Sequence, residues 1–244
     1  MGKFYGAVKE HYKFSRRETM ELLISVALVA LMFAFDDGSE SFQLGHWLFN
    51  YFNTAVIVLL AFLIALTAQK LWGIAVGYRV RYKMWSYGLA FGVAVAILSR
   101  GAIILPLPGG VSFAVIPRLR LGGFRFGLKY SLIGWISGLG PIANVFTAMS
   151  AKALFFQLLG MSSPLIDRLI FINFMLAFFM VLPIPPLPGL ALFFGNRMLY
   201  VIVFGFMFAY ALLFVIGFYS LIVAILIAVI IWLSYYFMFE REWS

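Results

Sequence analysis

Two histidines, His11 and His46, are the only imidazoles in this 244-residue chain, and it contains no cysteine. Carboxylates are as sparse: between Asp37 and Asp167 the only one is Glu40. Zinc-assisted hydrolysis draws its ligands from His, Cys, Asp and Glu, commonly with two histidines at i, i+4 on one helix face. Neither His11 nor His46 has such a partner. No thiol nucleophile exists, and the hydroxyl residues form no recognisable nucleophile–base pattern, so an enzyme of unrelated chemistry has little to rest on. The polar groups left inside apolar sequence are few. Glu18 and Glu21 open a helix, where acids favour the dipole; a proton relay is the alternative reading. Arg100 is expected to snorkel to headgroups, to pair with a carboxylate, or to anchor a loop. Thr67, Gln69 and Asn144 are expected to bond neighbouring helices, with contact to a substrate backbone as the alternative.

The elements that must position these groups are apolar. The chain is 64% hydrophobic and 11% charged, with a mean hydropathy of +1.03, against about 45–50% and about 25% in soluble domains. This is the composition of an integral membrane protein. The basic, polar start is not expected to be a cleavable signal. The net charge of +9 fits cytoplasmic loops and anionic headgroups better than nucleic acid. Spans are expected at Thr19–Phe35, Trp47–Leu71, Tyr130–Leu159 and Leu169–Leu182, with Met198–Phe239 folding as two helices that turn near Gly217. Met84–Pro108 is apolar enough to cross. A re-entrant path is favoured, because it keeps Arg118, Arg120, Arg125, Lys129 and Arg197 on the side of Arg16, Arg17, Arg79 and Arg81. That gives six spans with both termini cytoplasmic; seven spans is the alternative. Residues 1–244 form one membrane domain, with a basic N-terminus at 1–17, a core at 61–197 and a C-terminal helical pair at 198–239.

Two stretches break the apolar pattern. Gly109–Lys129 alternates apolar and polar residues around Gly122-Gly123, which predicts a β-hairpin, with Pro117 marking an edge or a bulge. Met180–Gly189, MVLPIPPLPG, packs Pro183, Pro185, Pro186 and Pro188 into one short run. Proline breaks helices, and non-helical backbone at membrane depth is tolerated only where protein buries it or it lines a cavity.

The order of these landmarks carries a resemblance. A helix ends in ALTAQKLWG, strand-like sequence follows, the next helix holds GLGPIANVFTA with Gly140, Pro141 and Asn144, and a later one ends in LPIPPLPG, closing on Gly189. This resembles the site-2 protease family of intramembrane zinc metalloproteases, particularly archaeal-like members. The resemblance implies a fold that is all-α apart from a small β-hairpin. Its two zinc histidines would fall on Ala65 and Gln69, its catalytic glutamate on Leu66, its ligand aspartate on Pro188 and an upstream asparagine on Met180. Each of those chemical residues is replaced, so the resemblance implies a pseudoprotease with no metal, no cofactor and no catalysis.

Such a chain is expected to sit in the cell membrane and to bind other integral membrane proteins as a scaffold, assembly partner or regulator. An extended client strand would add to the hairpin edge through Val111, Phe113, Val115, Leu119 and Leu121, and the emptied cavity would receive a client helix. A transporter using the former active-site cavity is the alternative, although intramembrane charges and inverted repeats are lacking.

Overall fold

The computed structural model describes residues 2–36, 42–116, 128–160, 163–215 and 221–240. It is predominantly helical with one small sheet. The elements are α1 (Gly2–His11), α2 (Arg16–Ala34), α3 (Leu44–Ala75), β1 (Tyr78–Met84), α4 (Ser86–Leu98), β2 (Gly109–Val115), α5 (Tyr130–Lys152), α6 (Pro164–Val181), α7 (Pro188–Gly195), α8 (Arg197–Val215) and α9 (Leu221–Tyr235). A π-helical turn, Ala153–Leu158, continues α5.

Among the described residues, four helical stretches are long and apolar enough to cross a membrane: Leu44–Ala75, Tyr130–Phe155, Pro164–Val181 and Ile222–Phe239. The expected first span, α2, is not among them, because its 19 residues begin with Arg16, Arg17, Glu18 and Glu21. Described residues of α8 form a shorter apolar helix, Arg197–Leu213. The expected turn at Gly217 lies outside the described residues. Gly205 of α8 faces Ala228 and Ile231 of α9, while Leu213 clusters with Ala224, so the two helices run antiparallel as a hairpin.

Cross-contacts fix which ends lie together. At one end, the sheet end, Tyr12 meets Thr67 near the close of α3 and the Lys129 N–H donates to Tyr78 Oη. At the far end, Arg168 of α6 donates to Asn50 and Thr54 of α3. Helices α2, α3, α5, α6, α8 and α9 thus alternate in direction, and Arg16, Arg79 and Arg197 stand at the sheet end.

Among the described residues the sheet has two strands. β2 pairs antiparallel with β1, Tyr78 opposite Val115 and Met84 opposite Gly109. This partner strand ends where the Met84–Pro108 segment begins. Its sequence YRVRYKM alternates apolar and basic residues, a period-2 signal hidden by reading the charges as a connector. The expected turn at Gly122-Gly123, with Pro117, Leu119 and Leu121, lies outside the described residues. Because Met84 pairs with Gly109 and the Trp85 N–H donates to Pro108 O at 3.0 Å, the intervening segment leaves and returns at one point. Helix α4, 13 residues, rises about 20 Å, and its closing turn packs Gly101 against Asp36 just past α2. Arg100 is exposed on this turn with φ of 53°.

Helix α2 seals the outer edge of β1. Ser15 and Glu18 form a capping box at its start, which fixes the first turn. From there Glu18 accepts the Tyr82 N–H at 2.9 Å and pairs with Lys70 of α3 at 2.8 Å. Lys70 Nζ also lies 4.0 Å from the centroid of the Phe14 ring. One turn on, Glu21 accepts the Met84 N–H at 3.0 Å. Both Glu18 and Lys70 are 2% exposed. Removing one member of a buried ion pair strands the other charge. Glu18→Ala is therefore expected to cost about 3–5 kcal/mol in a detergent unfolding series. Glu21→Ala, with its carboxylate 17% exposed, should cost only about 1–3 kcal/mol; equal losses would contradict the junction assigned to Glu18.

Candidate functional site

Helix α5 carries its own defect. Pro141 lies inside it and has no N–H to offer the carbonyl four residues earlier, Ser137. That carbonyl is taken instead by Gln69 of α3, whose Nε2 donates at 3.0 Å. Gly140 makes the reach possible: a Cβ there would stand 2.6 Å from Gln69 Nε2. The Gly140-Pro141 pair therefore creates an orphan acceptor and clears the path for its donor, which ties α3 to α5 within the apolar interior.

A cavity of about 20 Å³ lies beside this link, room for roughly one water-sized body. Helix α3 supplies Phe62, Ala65, Leu66 and Gln69, and α5 supplies Asn144. Leu176 and Met180 come from α6, Pro188 from α7, and Tyr82 and Pro108–Val111 from the sheet. Gln69 and Asn144 are 0% and 1% exposed, and their side-chain oxygens have no partner among the described residues. Among the described residues the Asn144 amide nitrogen meets only Met180 Sδ, at 4.0 Å. The Tyr82 hydroxyl sits 2.7 Å from Ser25 Oγ and 2.8 Å from the Pro108 carbonyl. Burial pushes its pKa up, only partly offset by the Ser25 hydrogen bond, so the phenol stays neutral.

The positions matched to the zinc site by resemblance, Ala65, Leu66, Gln69 and Pro188, thus come together, with Asn144 and Met180. The polar groups they present are neutral amides, and no described lining residue is charged. Zinc takes thiolate, imidazole or carboxylate ligands, so these residues do not fit it. His11 accepts from Arg79 at 3.0 Å at the sheet end, and His46 contacts Asn50 at the start of α3. Tyr82, Phe62 and Leu176 were missed from sequence; the alternation of β1 was the one available signal, and it pointed to Tyr82.

The proline run ends α6 at Val181 and starts α7 at Pro188. Pro183, Pro185 and Pro186 are exposed, whereas Leu187, Pro188 and Gly189 are buried. Gly189 packs on the Val181 carbonyl, and Gly110 lies so close to the Pro186 carbonyl that a Cβ would clash. The turn therefore seats the start of β2 beside the cavity.

Val111, Phe113 and Val115 lie on β2. Their side chains are half-buried around Tyr78, Val80 and Ile136, not offered outward. What they present is backbone. The Ile116 N–H donates to Gly77 O and the Trp85 N–H to Pro108 O. Antiparallel alternation between these two bonds puts the ladder on even residues of β2 and turns the N–H and C=O of Val111, Phe113 and Val115 away from β1. No described residue takes those groups.

Comparison with protein-family models, curated proteins and solved structures finds no match.

The Gln69 link is open to a double-mutant cycle. Gln69→Leu should cost about 1–3 kcal/mol, the desolvation penalty of a buried acceptor left unpaired, in thermal unfolding of the detergent-solubilised protein. In a Pro141→Ala background the restored N–H takes the Ser137 carbonyl, and the same change should cost much less. Equal costs in both backgrounds would show that Gln69 does not serve the proline gap.

Proposed function

We propose that this chain is a non-catalytic relative of the site-2 proteases that binds other membrane proteins as a scaffold, assembly partner or regulator. The supporting observation is the convergence of Ala65, Gln69, Pro188 and Asn144 on one cavity whose donors are neutral amides. Six helices of alternating direction cross the cell membrane in this reading, and α4 with its return strand is a re-entrant loop. The basic residues at the sheet end, Arg16, Arg17, Arg79, Arg81, Lys83 and Arg197, put that end and both termini in the cytoplasm.

Capture is by strand addition. The outward backbone groups of Val111, Phe113 and Val115 give an extended client a ladder, next to a basic sheet face bearing Arg81 and Lys83, both exposed. At about 20 Å³ the cavity is far too small for the expected client helix, which is about 10 Å across.

Two experiments test the reading. A folded Ala65→His, Gln69→His, Pro188→Asp variant should bind one Co²⁺ per chain with the absorption of a tetrahedral site, and a folded variant that binds none would contradict the lost-site geometry. Proline substitutions separate the two edges of β2. Val115→Pro removes an outward N–H and should abolish cross-linking to membrane partners with a small loss of stability. Ala114→Pro removes a ladder bond and should mainly destabilise. Unchanged cross-linking by Val115→Pro would remove strand addition from the account.

A further inference from the structure

Two buried side-chain oxygens are left over in the interior. Gln69 Oε1 and Asn144 Oδ1 belong to residues 0% and 1% exposed, and neither oxygen has a partner among the described residues. The nitrogens fix which way these amides face. Gln69 Nε2 is committed to the Ser137 carbonyl at 3.0 Å, which turns the Gln69 oxygen away from that bond. Asn144 Nδ2 faces Met180 Sδ at 4.0 Å. A thioether sulfur only accepts, so the nitrogen, not the oxygen, belongs on that side.

The two amides are neighbours. Gly140 and Asn144 stand one turn apart on one face of α5. Gln69 occupies the space over Gly140, where a Cβ would also come 3.3 Å from Met180 Cε. Both amides therefore flank Met180, and both line the cavity of about 20 Å³. An acceptor beside an acceptor calls for a donor of two hydrogen bonds. Water fits in about 10–15 Å³ of such space and makes roughly two to four hydrogen bonds. A hard cation takes roughly six or more oxygen ligands, which two amide oxygens do not supply. The nearby Pro108 carbonyl is already taken by the Tyr82 hydroxyl and the Trp85 N–H. An apolar occupant would leave both oxygens unpaired.

We infer that this cavity binds one water molecule, which donates one hydrogen to Gln69 Oε1 and the other to Asn144 Oδ1. The water is a second tie between α3 and α5, beside the direct bond from Gln69 to Ser137. Its site follows from the packing of α3, α5 and α6, independent of any family relation. Solid-state NMR of the full, isotope-labelled chain in lipid bilayers tests it, by transfer of magnetisation from water protons to side-chain amides. The Gln69 and Asn144 amides should both show water cross-peaks, although neither residue is exposed. Ala65→Val fills the cavity and keeps both oxygens. It should abolish both cross-peaks while the Gln69 Nε2 shift, set by the bond to Ser137, stays in place. Asn144→Leu removes one acceptor and should abolish the Gln69 cross-peak. Absence of both cross-peaks from the unmodified chain, or their persistence in either variant while it remains folded, would overturn the proposal. A cross-peak at one amide alone would overturn the bridge.

Discussion

The carboxylate of Glu18 holds three parts of the fold at once. It accepts the outward N–H of Tyr82 in β1, pairs with Lys70 near the end of α3, and closes the capping box that starts α2. A buried charge is tolerable only when paired and hydrogen-bonded, and here the lysine and the strand amide meet that need together. Glu21 repeats the strand contact one turn later. The outer edge of β1 is therefore occupied by side chains, so that among the described residues the open backbone of the sheet is that of β2. The same anchoring fixes Met84 opposite Gly109 and makes the α4 segment a closed excursion.

The interior is joined by a second compensation. Pro141 takes an N–H out of α5, and Gln69 restores a donor across the gap that Gly140 leaves open. Next to this link, Pro188 and Asn144 complete a cavity that has shape and polarity but, among its described residues, no histidine, cysteine or carboxylate. The proline turn that follows α6 carries its carbonyl at Pro186 against Gly110 and so sets where β2 begins. Cavity and strand edge are parts of one construction, and the proposal that the chain binds clients without cutting them rests on that adjacency.

Much of this was legible in the residues. The break at the proline run and the two-helix close of the chain follow from apolar length and helix-breaking residues, whereas the grouping of Ala65, Gln69 and Pro188 was only what the family resemblance implied. The sheet was legible only in half. β2 was read from its alternation, but β1, with which it pairs, lies a whole helical excursion earlier, and contacts that long in sequence leave no local trace. The roles of Glu18 and Lys70 were hidden for a similar reason: at the sequence level they are first-turn and interfacial charges, and only the packing of α2 across β1 buries them. Gln69 looked like a generic helix-joining amide because the link between a missing N–H at Pro141 and a distant donor appears only in three dimensions.

The central claim is that the β2 backbone edge is where a client binds. Residue-resolved amide hydrogen exchange, run on the protein in its own membranes and again after purification in detergent, tests it most directly. The account predicts that the amides of Val111, Phe113 and Val115 are protected in the membrane and exchange rapidly once purified, while those of Ser112 and Ala114, bonded to β1, stay protected in both. Equal protection of all five amides in both preparations would contradict it.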